Sequence, residues 1–358
     1  MAARSLVLVT GINGYIAAHT AATFLKAGYA VRGTVRNKKT PNVDSLVRTL
    51  NQYHDGNRLE LVEVPDISVD DAFDRAVQGC VQAIAHLASP VSMTETDPAT
   101  MMRAAVQGTT SLLTSALAES QREREPGRGA LKSVVFMSTI SAIFSPFQPA
   151  GHVFTETDWN DAAEEEVRRL GKDTPGYVIY QASKTAAERV FWRVSKEKNT
   201  RLNLTALCPA PVLGPPLYLP DPISSLSMRV KDIYDMFHGG PIPEFSPIRS
   251  TFVDVRDVAE LVLKAVEKDK DSQTQGCRER YLLVGESPIS PQQMADVLRV
   301  EFPQRRDRIR EGIPGQTYPD MTWRFDATRA GMLLGRDWIG LRQSVVDSAK
   351  VFLGAETV

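Results

Sequence analysis

Short apolar runs alternate with longer amphipathic stretches through the first half of the chain. The runs are typical of buried β-strands, and they lie at residues 5–10, 30–35, 59–64, 83–87, 133–138 and 202–207. Helical patterns at residues 15–26 and 43–53 separate the first three runs. Strands that alternate with helices indicate βαβ units, and right-handed crossovers then build a parallel sheet that is covered on both faces. We therefore predict a Rossmann-type, doubly wound α/β fold.

The pattern changes after residue 209. Residues 209–222 contain six prolines in fourteen positions, which predicts an irregular loop over the edge of the sheet. Short helical and extended pieces follow this loop. We predict a first domain over residues 1–210, to which residues 250–265 return, and a smaller mixed α/β lobe over residues 211–358.

Composition and charge narrow the classes of function. Of the 358 residues 42% are hydrophobic and 24% charged, and the formal net charge is −1. This balance gives no electrostatic reason for binding nucleic acid or an anionic membrane. No apolar stretch approaches the roughly 18 residues of a membrane span, so we predict a soluble, cytoplasmic protein. Cys80, Cys208 and Cys277 show no CxxC spacing and the five histidines are dispersed, so we predict neither a disulfide framework nor a metal site.

A glycine-rich turn joins the first predicted strand to the first predicted helix. Gly11 permits the tight turn, Gly14 lets the backbone approach a pyrophosphate, and the small Ala17 lets the helix pack on the strand. The helix that follows presents unpaired N–H groups and its positive dipole end to the phosphate. The turn therefore predicts a dinucleotide site.

The end of the second predicted strand indicates which dinucleotide binds. An acidic residue there would bond to the ribose hydroxyls of NAD, but residues 31–39 read VRGTVRNKK and no acidic residue occurs before Asp44. Arg36 can pair with a 2′-phosphate through its planar guanidinium. Lys38 or Lys39 either adds a second positive charge or solvates a loop. The sequence therefore predicts NADP(H) as cofactor.

Tyr180 and Lys184 lie four residues apart at the start of a strongly helical run, so they share one helix face. A free tyrosine has a pKa of roughly 10, and a neighbouring ammonium stabilises the phenolate. Tyr180 could then act as general acid towards a carbonyl that receives a hydride, or as base in the reverse direction. His86, at a strand end, is predicted to be structural.

Several stretches, in order along most of the chain from residue 5 to about 265, resemble the extended short-chain dehydrogenase/reductase superfamily. Within it the chain is similar to the branch that includes plant dihydroflavonol 4-reductase and the fungal and yeast NADPH-dependent aldehyde and ketone reductases. The stretches are TGINGYIAAH, VRGTVR, HLASP, VVFMSTISA, TETDWN, YQASK, CPAPVLGP and FVDVRDVA.

The resemblance implies roles for individual positions. Tyr180 would be the proton donor, and Lys184 would bond the nicotinamide ribose and lower the tyrosine pKa. The cofactor would be lined, from pyrophosphate to carboxamide, by Gly11, Gly14, Tyr15, Ile16, Arg36, Asp66, Ile67, Leu87, Ala88, Ser89, Tyr180, Lys184, Pro209 and Val212. Relatives usually carry a serine pair after the fifth strand, whereas this chain has Ser138 and Thr139. We assign the carbonyl-orienting hydroxyl to Thr139, with Ser138 and Ser141 as alternatives.

The combined prediction is an NADPH-dependent reductase of a small-molecule carbonyl, acting as a monomer or homodimer. The turn at residues 90–93, the loop at residues 209–222 and the C-terminal lobe would close its pocket. A flavonoid-like or polyketide-derived ketone, a small aldehyde and a diketone all fit. A sugar-nucleotide epimerase or dehydratase is the first alternative, although Arg36 and HLASP argue against it. A nucleotide-sensing regulator without turnover is the second, although such proteins commonly lose the Tyr–Lys pair.

Overall fold

The computed structural model describes residues 5–54, 57–79, 81–89, 97–122, 130–197, 200–244, 250–271, 276–317 and 323–356. Cys80 and the predicted turn at residues 90–93 lie outside these ranges. The strands are β1 (Leu6–Thr10), β2 (Ala30–Val35), β3 (Leu59–Glu63), β4 (Val81–His86), β5 (Ser133–Met137), β6 (Val153–Phe154), β7 (Asn203–Pro209), β8 (Val212–Leu213), β9 (Val253–Asp254), β10 (Arg278–Leu283) and β11 (Arg324–Phe325). The helices are α1 (Tyr15–Lys26), α2 (Pro41–Asn51), α3 (Asp74–Val77), α4 (Pro98–Ser120), α5 (Asp161–Leu170), α6 (Gly176–Glu197), α7 (Met228–Phe237), α8 (Val255–Asp271), α9 (Pro291–Glu301), α10 (Thr328–Leu334) and α11 (Leu341–Glu356).

Seven strands form one parallel sheet in the order β10-β7-β5-β4-β1-β2-β3. The six apolar runs of the sequence all appear in it, and the predicted doubly wound fold is confirmed. The sheet also contains β10, at one edge, which the sequence analysis assigned to the C-terminal lobe. Its segment, RERYLL, begins with charged residues, because the first positions of this edge strand face solvent. The apolar pattern of a buried strand is therefore incomplete there.

Both faces of the sheet are covered, as alternating strand side chains require. On β1, Val7 and Val9 pack into the core formed with α1, α2 and α8, whereas Leu8 packs into the core formed with α3, α4 and α6. The strand is therefore apolar from Leu6 to Val9. Such burial on both faces is the reason why the parallel strands were recognisable as continuous apolar runs.

A third apolar core lies in the C-terminal part of the chain. Phe237 of α7, Met294 of α9 and Phe352 of α11 are buried in it, each at most 1% exposed. The pairs β6–β11 and β8–β9 form two small parallel sheets outside the main one. In the described part of the chain, no helix has the length and apolar character needed to cross a membrane.

Candidate active site

A cavity of about 450 Å³ lies where β1, β2 and β4 end, beside the start of α1. Seven of the predicted cofactor residues line it: Gly11, Gly14, Arg36, Ile67, Leu87, Ala88 and Ser89. Six further lining residues were not singled out from the sequence, namely Asn13, Thr34, Val35, Asn37, Thr40 and Val64. The positions of five of them at the ends of β1, β2 and β3 would have indicated them, because the carboxyl ends of parallel strands form one crevice, whereas Thr40 is the N-cap of α2.

The glycine-rich turn is shaped for close approach of a ligand. Gly11 has a φ of +64°, and a Cβ built on it would lie 3.2 Å from the Cα of Ala88. The Gly11 N–H donates to Thr34 Oγ1 at 2.9 Å, and the Gly14 N–H donates to the Gly11 carbonyl at 2.8 Å. Helix α1 begins directly after Gly14, and no side chain caps its N-terminus. Uncapped N–H groups and the helix dipole suit a phosphate, so this turn fits a dinucleotide.

Arg36 is the cationic residue of the cavity lining. It follows β2, is exposed, and lies with Asn37 and Thr40 in front of α2, whose first turn Thr40 caps. The lining contains no carboxylate among the described residues. Lys38 and Lys39 are exposed and lie outside the lining. This wall of the cavity therefore fits an anionic group, such as a 2′-phosphate, through Arg36.

Besides Tyr180 and Lys184, five predicted cofactor residues lie outside the cavity lining, and the roles of all seven stay predictions. The Tyr15 hydroxyl donates to the Gly214 carbonyl at 2.8 Å, and Ile16 packs against the apolar core. The exposed Asp66 carboxylate accepts bonds from Ser68, which, with Arg36 nearby, lower its pKa. Pro209 and Val212 belong to β7 and β8 respectively.

The proline-rich loop is tied to the rim of the cavity. The Tyr218 hydroxyl donates to the Asn13 carbonyl at 2.8 Å. Asn42, at the start of α2, exchanges two hydrogen bonds with the backbone of Asp221, at 3.0 and 2.8 Å. Apart from Pro209, which ends β7, and the short β8, the loop is irregular, as predicted, and these bonds fix it beside the glycine-rich turn.

The Tyr180–Lys184 pair lies on α6, which begins at Gly176, one turn before the tyrosine. Lys184 is 5% exposed, and its ammonium donates to the Met137 carbonyl at 3.1 Å and to Ser89 Oγ at 3.4 Å. Ser89 also lines the cavity. The pair is therefore joined directly to the place where a dinucleotide fits.

Burial shifts the pKa values of both members of the pair. Burial raises the pKa of Tyr180, and a side-chain hydrogen bond with Thr139 opposes this effect. Burial lowers the pKa of Lys184 to about 8, while nearby Glu188 and Cys208 raise it. The hydrogen bond with Thr139 thus favours the phenolate, and the predicted effect of Lys184 on the tyrosine pKa stays a prediction.

Two neighbouring hydroxyls after β5 point in different directions, as extended backbone requires. The buried Ser138 hydroxyl donates to Glu188 Oε2 at 2.5 Å. Thr139 bonds to Tyr180 and also accepts the Ser141 N–H at 3.2 Å. The hydroxyl that contacts the tyrosine is therefore that of Thr139.

His86 supports the cavity from behind. Thr10 Oγ1 accepts the N–H groups of Leu87 and Ala88 at 3.0 and 2.9 Å, so its own proton is donated to His86 Nδ1, 2.9 Å away. This bond requires an unprotonated Nδ1. Burial lowers the pKa of His86 from 6.5 to about 3, with a further contribution from Lys184. His86 is thus a neutral structural side chain, as predicted.

This burial predicts a stability effect. Between the unfolded pKa of 6.5 and the folded value of about 3, the unfolded chain binds the proton more tightly, so folding stability falls as the pH drops through this window. His86→Gln is expected to lose less stability between about pH 7 and about pH 5 than the wild type. Denaturant unfolding at both pH values measures this difference. If the wild type and His86→Gln lost the same free energy of unfolding, His86 would not have the lowered pKa.

Trp159 and Trp192 pack against buried charged groups. The Trp159 ring packs under Arg280 at 3.9 Å, and the Trp192 indole donates to Glu188. Among the residues that the structure describes, no group of three or more His, Cys, Asp or Glu side chains could hold a metal ion.

Comparison with known proteins agrees with the sequence resemblance. An oxidoreductase of Schizosaccharomyces pombe is 34% identical over 313 residues, covering 86% of this chain and 85% of the relative. A ketoreductase of Aspergillus niger is 30% identical and covers 97% of both chains. The crystal structure of yeast methylglyoxal/isovaleraldehyde reductase Gre2 complexed with NADPH superimposes with a TM-score of 0.81 at 26% identity, covering 98% of this chain and 99% of Gre2. The pattern of the NAD dependent epimerase/dehydratase family matches residues 7–277, and the chain belongs to that family, the extended short-chain dehydrogenases/reductases.

Proposed function

We propose that this protein reduces an aldehyde or ketone to the alcohol with NADPH. One observation carries the proposal: Tyr180 bonds to Thr139, and Lys184, one turn along the same helix, bonds to Ser89 in the wall of a cavity that also contains the glycine-rich turn and Arg36. The relatives support it, because Gre2 is named as a reductase of aldehydes and has been solved with NADPH, and the Aspergillus relative is named as a ketoreductase.

The side chains divide the proton chemistry between them. Because the Thr139 and Tyr180 hydroxyls contact each other, one carbonyl oxygen can accept hydrogen bonds from both. Tyr180 then donates its proton to that oxygen as negative charge develops there. The Lys184 ammonium, held by the Met137 carbonyl, favours the resulting phenolate through its charge. When bound, NADPH supplies the hydride.

We assign the cofactor residues from the sequence resemblance, and the cavity lining supports the assignment for the seven residues that belong to it. The backbone at Gly11 and Gly14 would hold the pyrophosphate and Arg36 the 2′-phosphate. Lys184 would bond the nicotinamide ribose. The remaining assignments are Tyr15 and Ile16 to the pyrophosphate, Asp66 and Ile67 to adenine, Leu87, Ala88 and Ser89 to the ribose and nicotinamide, and Pro209 and Val212 to the carboxamide.

The proposal also covers the domains, the location and the partners of the protein. Residues 1–210 with 250–265 would form the NADP(H)-binding domain together with β10, which pairs with β7 in the main sheet, and the rest of residues 211–358 would form the substrate lobe. We place the protein in the cytoplasm, as a monomer or homodimer that acts on a small molecule and binds neither membranes nor nucleic acid. Its formal net charge of −1 supports the proposal that it does not bind nucleic acid.

The direct test is a turnover assay. Consumption of NADPH is followed by absorbance with aromatic aldehydes, α-diketones and β-ketoesters, and NADH is assayed in parallel. We expect turnover with NADPH that is much weaker with NADH. Tight NADPH binding without turnover on any carbonyl would count against a reductase and favour a nucleotide sensor.

The assignment of the carbonyl-orienting hydroxyl to Thr139, and not to Ser138, gives a separate prediction. Thr139→Val is expected to lower kcat about tenfold, the loss of roughly one hydrogen bond, and Thr139→Ser to keep most of the activity. Kinetics of both variants with the same substrate measure the difference. If the Val variant keeps full activity, Thr139 does not orient the carbonyl.

A further inference from the structure

Glu188 is a fully buried carboxylate one helical turn after Lys184 and two turns after Tyr180. Residues at this spacing lie along one face of α6. An unpaired carboxylate at this depth would be costly, and its partners show how it is held.

The partners come from the strands under the site. Arg280 of β10 donates to both carboxylate oxygens, at 2.6 and 3.1 Å. Ser138, at the end of β5, donates at 2.5 Å, and the Cys208 thiol of β7 lies 3.7 Å away. Trp192 of α6 donates at 3.1 Å. One carboxylate therefore ties α6 to three neighbouring strands.

Arg280 is itself fixed on its other side. Its Nη1 donates to the carbonyls of Glu156 and Asp158 at 2.9 and 2.6 Å, and its guanidinium stacks on Trp159. The arginine is 8% exposed. The Glu188 carboxylate is thus held by an arginine that is itself fixed. A residue that positions its neighbours needs such support.

We propose that Glu188 is a positioning residue of the catalytic group, whose buried carboxylate fixes Thr139 against Tyr180 and supplies the negative charge behind Lys184. This inference rests on the proposed reductase function. Ser138 transmits the first effect, since fixing its hydroxyl towards Glu188 turns the next side chain, that of Thr139, towards Tyr180.

The second effect concerns the charge of Lys184. The titratable groups that act on it are Glu188 on its own helix, Cys208 on β7 and His86 on β4. His86 is neutral, and burial raises the pKa of Cys208, so that it stays a thiol. The anion that opposes the burial of Lys184 is therefore Glu188. Without it, the pKa of Lys184 falls further below its value of about 8.

The test compares Glu188→Gln, which keeps the shape and removes the charge, with Glu188→Asp, which keeps the charge. Asp257→Asn is the matched control, because Asp257 is also fully buried and paired with an arginine, Arg336, at 2.8 Å. We expect the alkaline limb of the kcat profile to move down by about one pH unit in Glu188→Gln and to return towards the wild-type position in Glu188→Asp. Asp257→Asn is expected to lower the free energy of unfolding and to leave the pH profile of kcat unchanged.

A second readout does not need turnover. The 15Nζ signal of Lys184, identified by its loss in Lys184→Arg, is titrated without cofactor in the wild type and in Glu188→Gln. A lower pKa in the variant supports the inference, and an unchanged pKa or an unmoved limb overturns it. If Glu188→Gln does not fold, Glu188→Gln/Arg280→Gln removes the same anion without leaving a buried cation. Absence of turnover in the wild type would refute the reductase proposal, while the titration would still decide the role of Glu188.

Discussion

In the Tyr180→Phe variant we expect kcat for carbonyl reduction to fall by about 10²–10⁴-fold, because the variant lacks the group that protonates the substrate oxygen. The phenyl ring keeps the packing of Tyr180 on α6, so the Kd of NADPH is expected to stay within about twofold of the wild type. Steady-state kinetics and fluorescence titration of NADPH measure the two quantities.

Tyr177→Phe is the matched control for this variant. Tyr177 lies on the same helix, but it is 61% exposed. The same loss of a hydroxyl is therefore expected to leave kcat unchanged. If Tyr180→Phe kept wild-type activity, the proton would have to come from another group and the mechanism would be wrong.

In the Arg36→Gln variant we expect the Kd of NADPH to rise about 10²-fold, since a bidentate, charge-assisted contact with the 2′-phosphate is lost. The Kd of NADH, which lacks that phosphate, is expected to change little. Titration of both dinucleotides against both proteins measures the change in preference.

Lys39→Gln provides the comparison for Arg36. Lys39 lies three residues further along the chain and outside the cavity lining. It is expected to weaken NADPH binding by less than about threefold, the size of a screened surface charge. If the Kd of NADPH rose more in Lys39→Gln than in Arg36→Gln, the assignment of the 2′-phosphate to Arg36 would be wrong.

The sheet was predictable because its strands are buried on both faces, so each one is a continuous apolar run. The edge strand β10 was missed for the opposite reason, since Arg278 and Glu279 interrupt the apolar pattern where the strand is partly exposed. The glycine-rich turn was predictable as well, because only glycine readily adopts the φ of Gly11 and admits the backbone of Ala88 so closely.

Other parts of the site depend on contacts that local pattern does not contain. The shared helix face of Tyr180 and Lys184 was predictable from their spacing, but the contacts of α6 with the strands were not. The bond between Arg280 and Glu188 joins residues 92 positions apart, so it exists only once β10 lies beside β7. The bond between Ser138 and Glu188, which leaves Thr139 to the tyrosine, joins residues 50 positions apart and exists only once α6 packs over the end of β5.

The most direct test of the central claim is to follow a labelled hydride into the product. The protein is incubated with a carbonyl substrate and NADPH that carries deuterium at both positions of nicotinamide C4, and the alcohol is analysed by mass spectrometry. We predict one deuterium on the former carbonyl carbon with the wild type, and almost no alcohol with Tyr180→Phe. An alcohol without deuterium, or the same labelled yield from Tyr180→Phe, would contradict reduction by hydride transfer with Tyr180 as the proton donor.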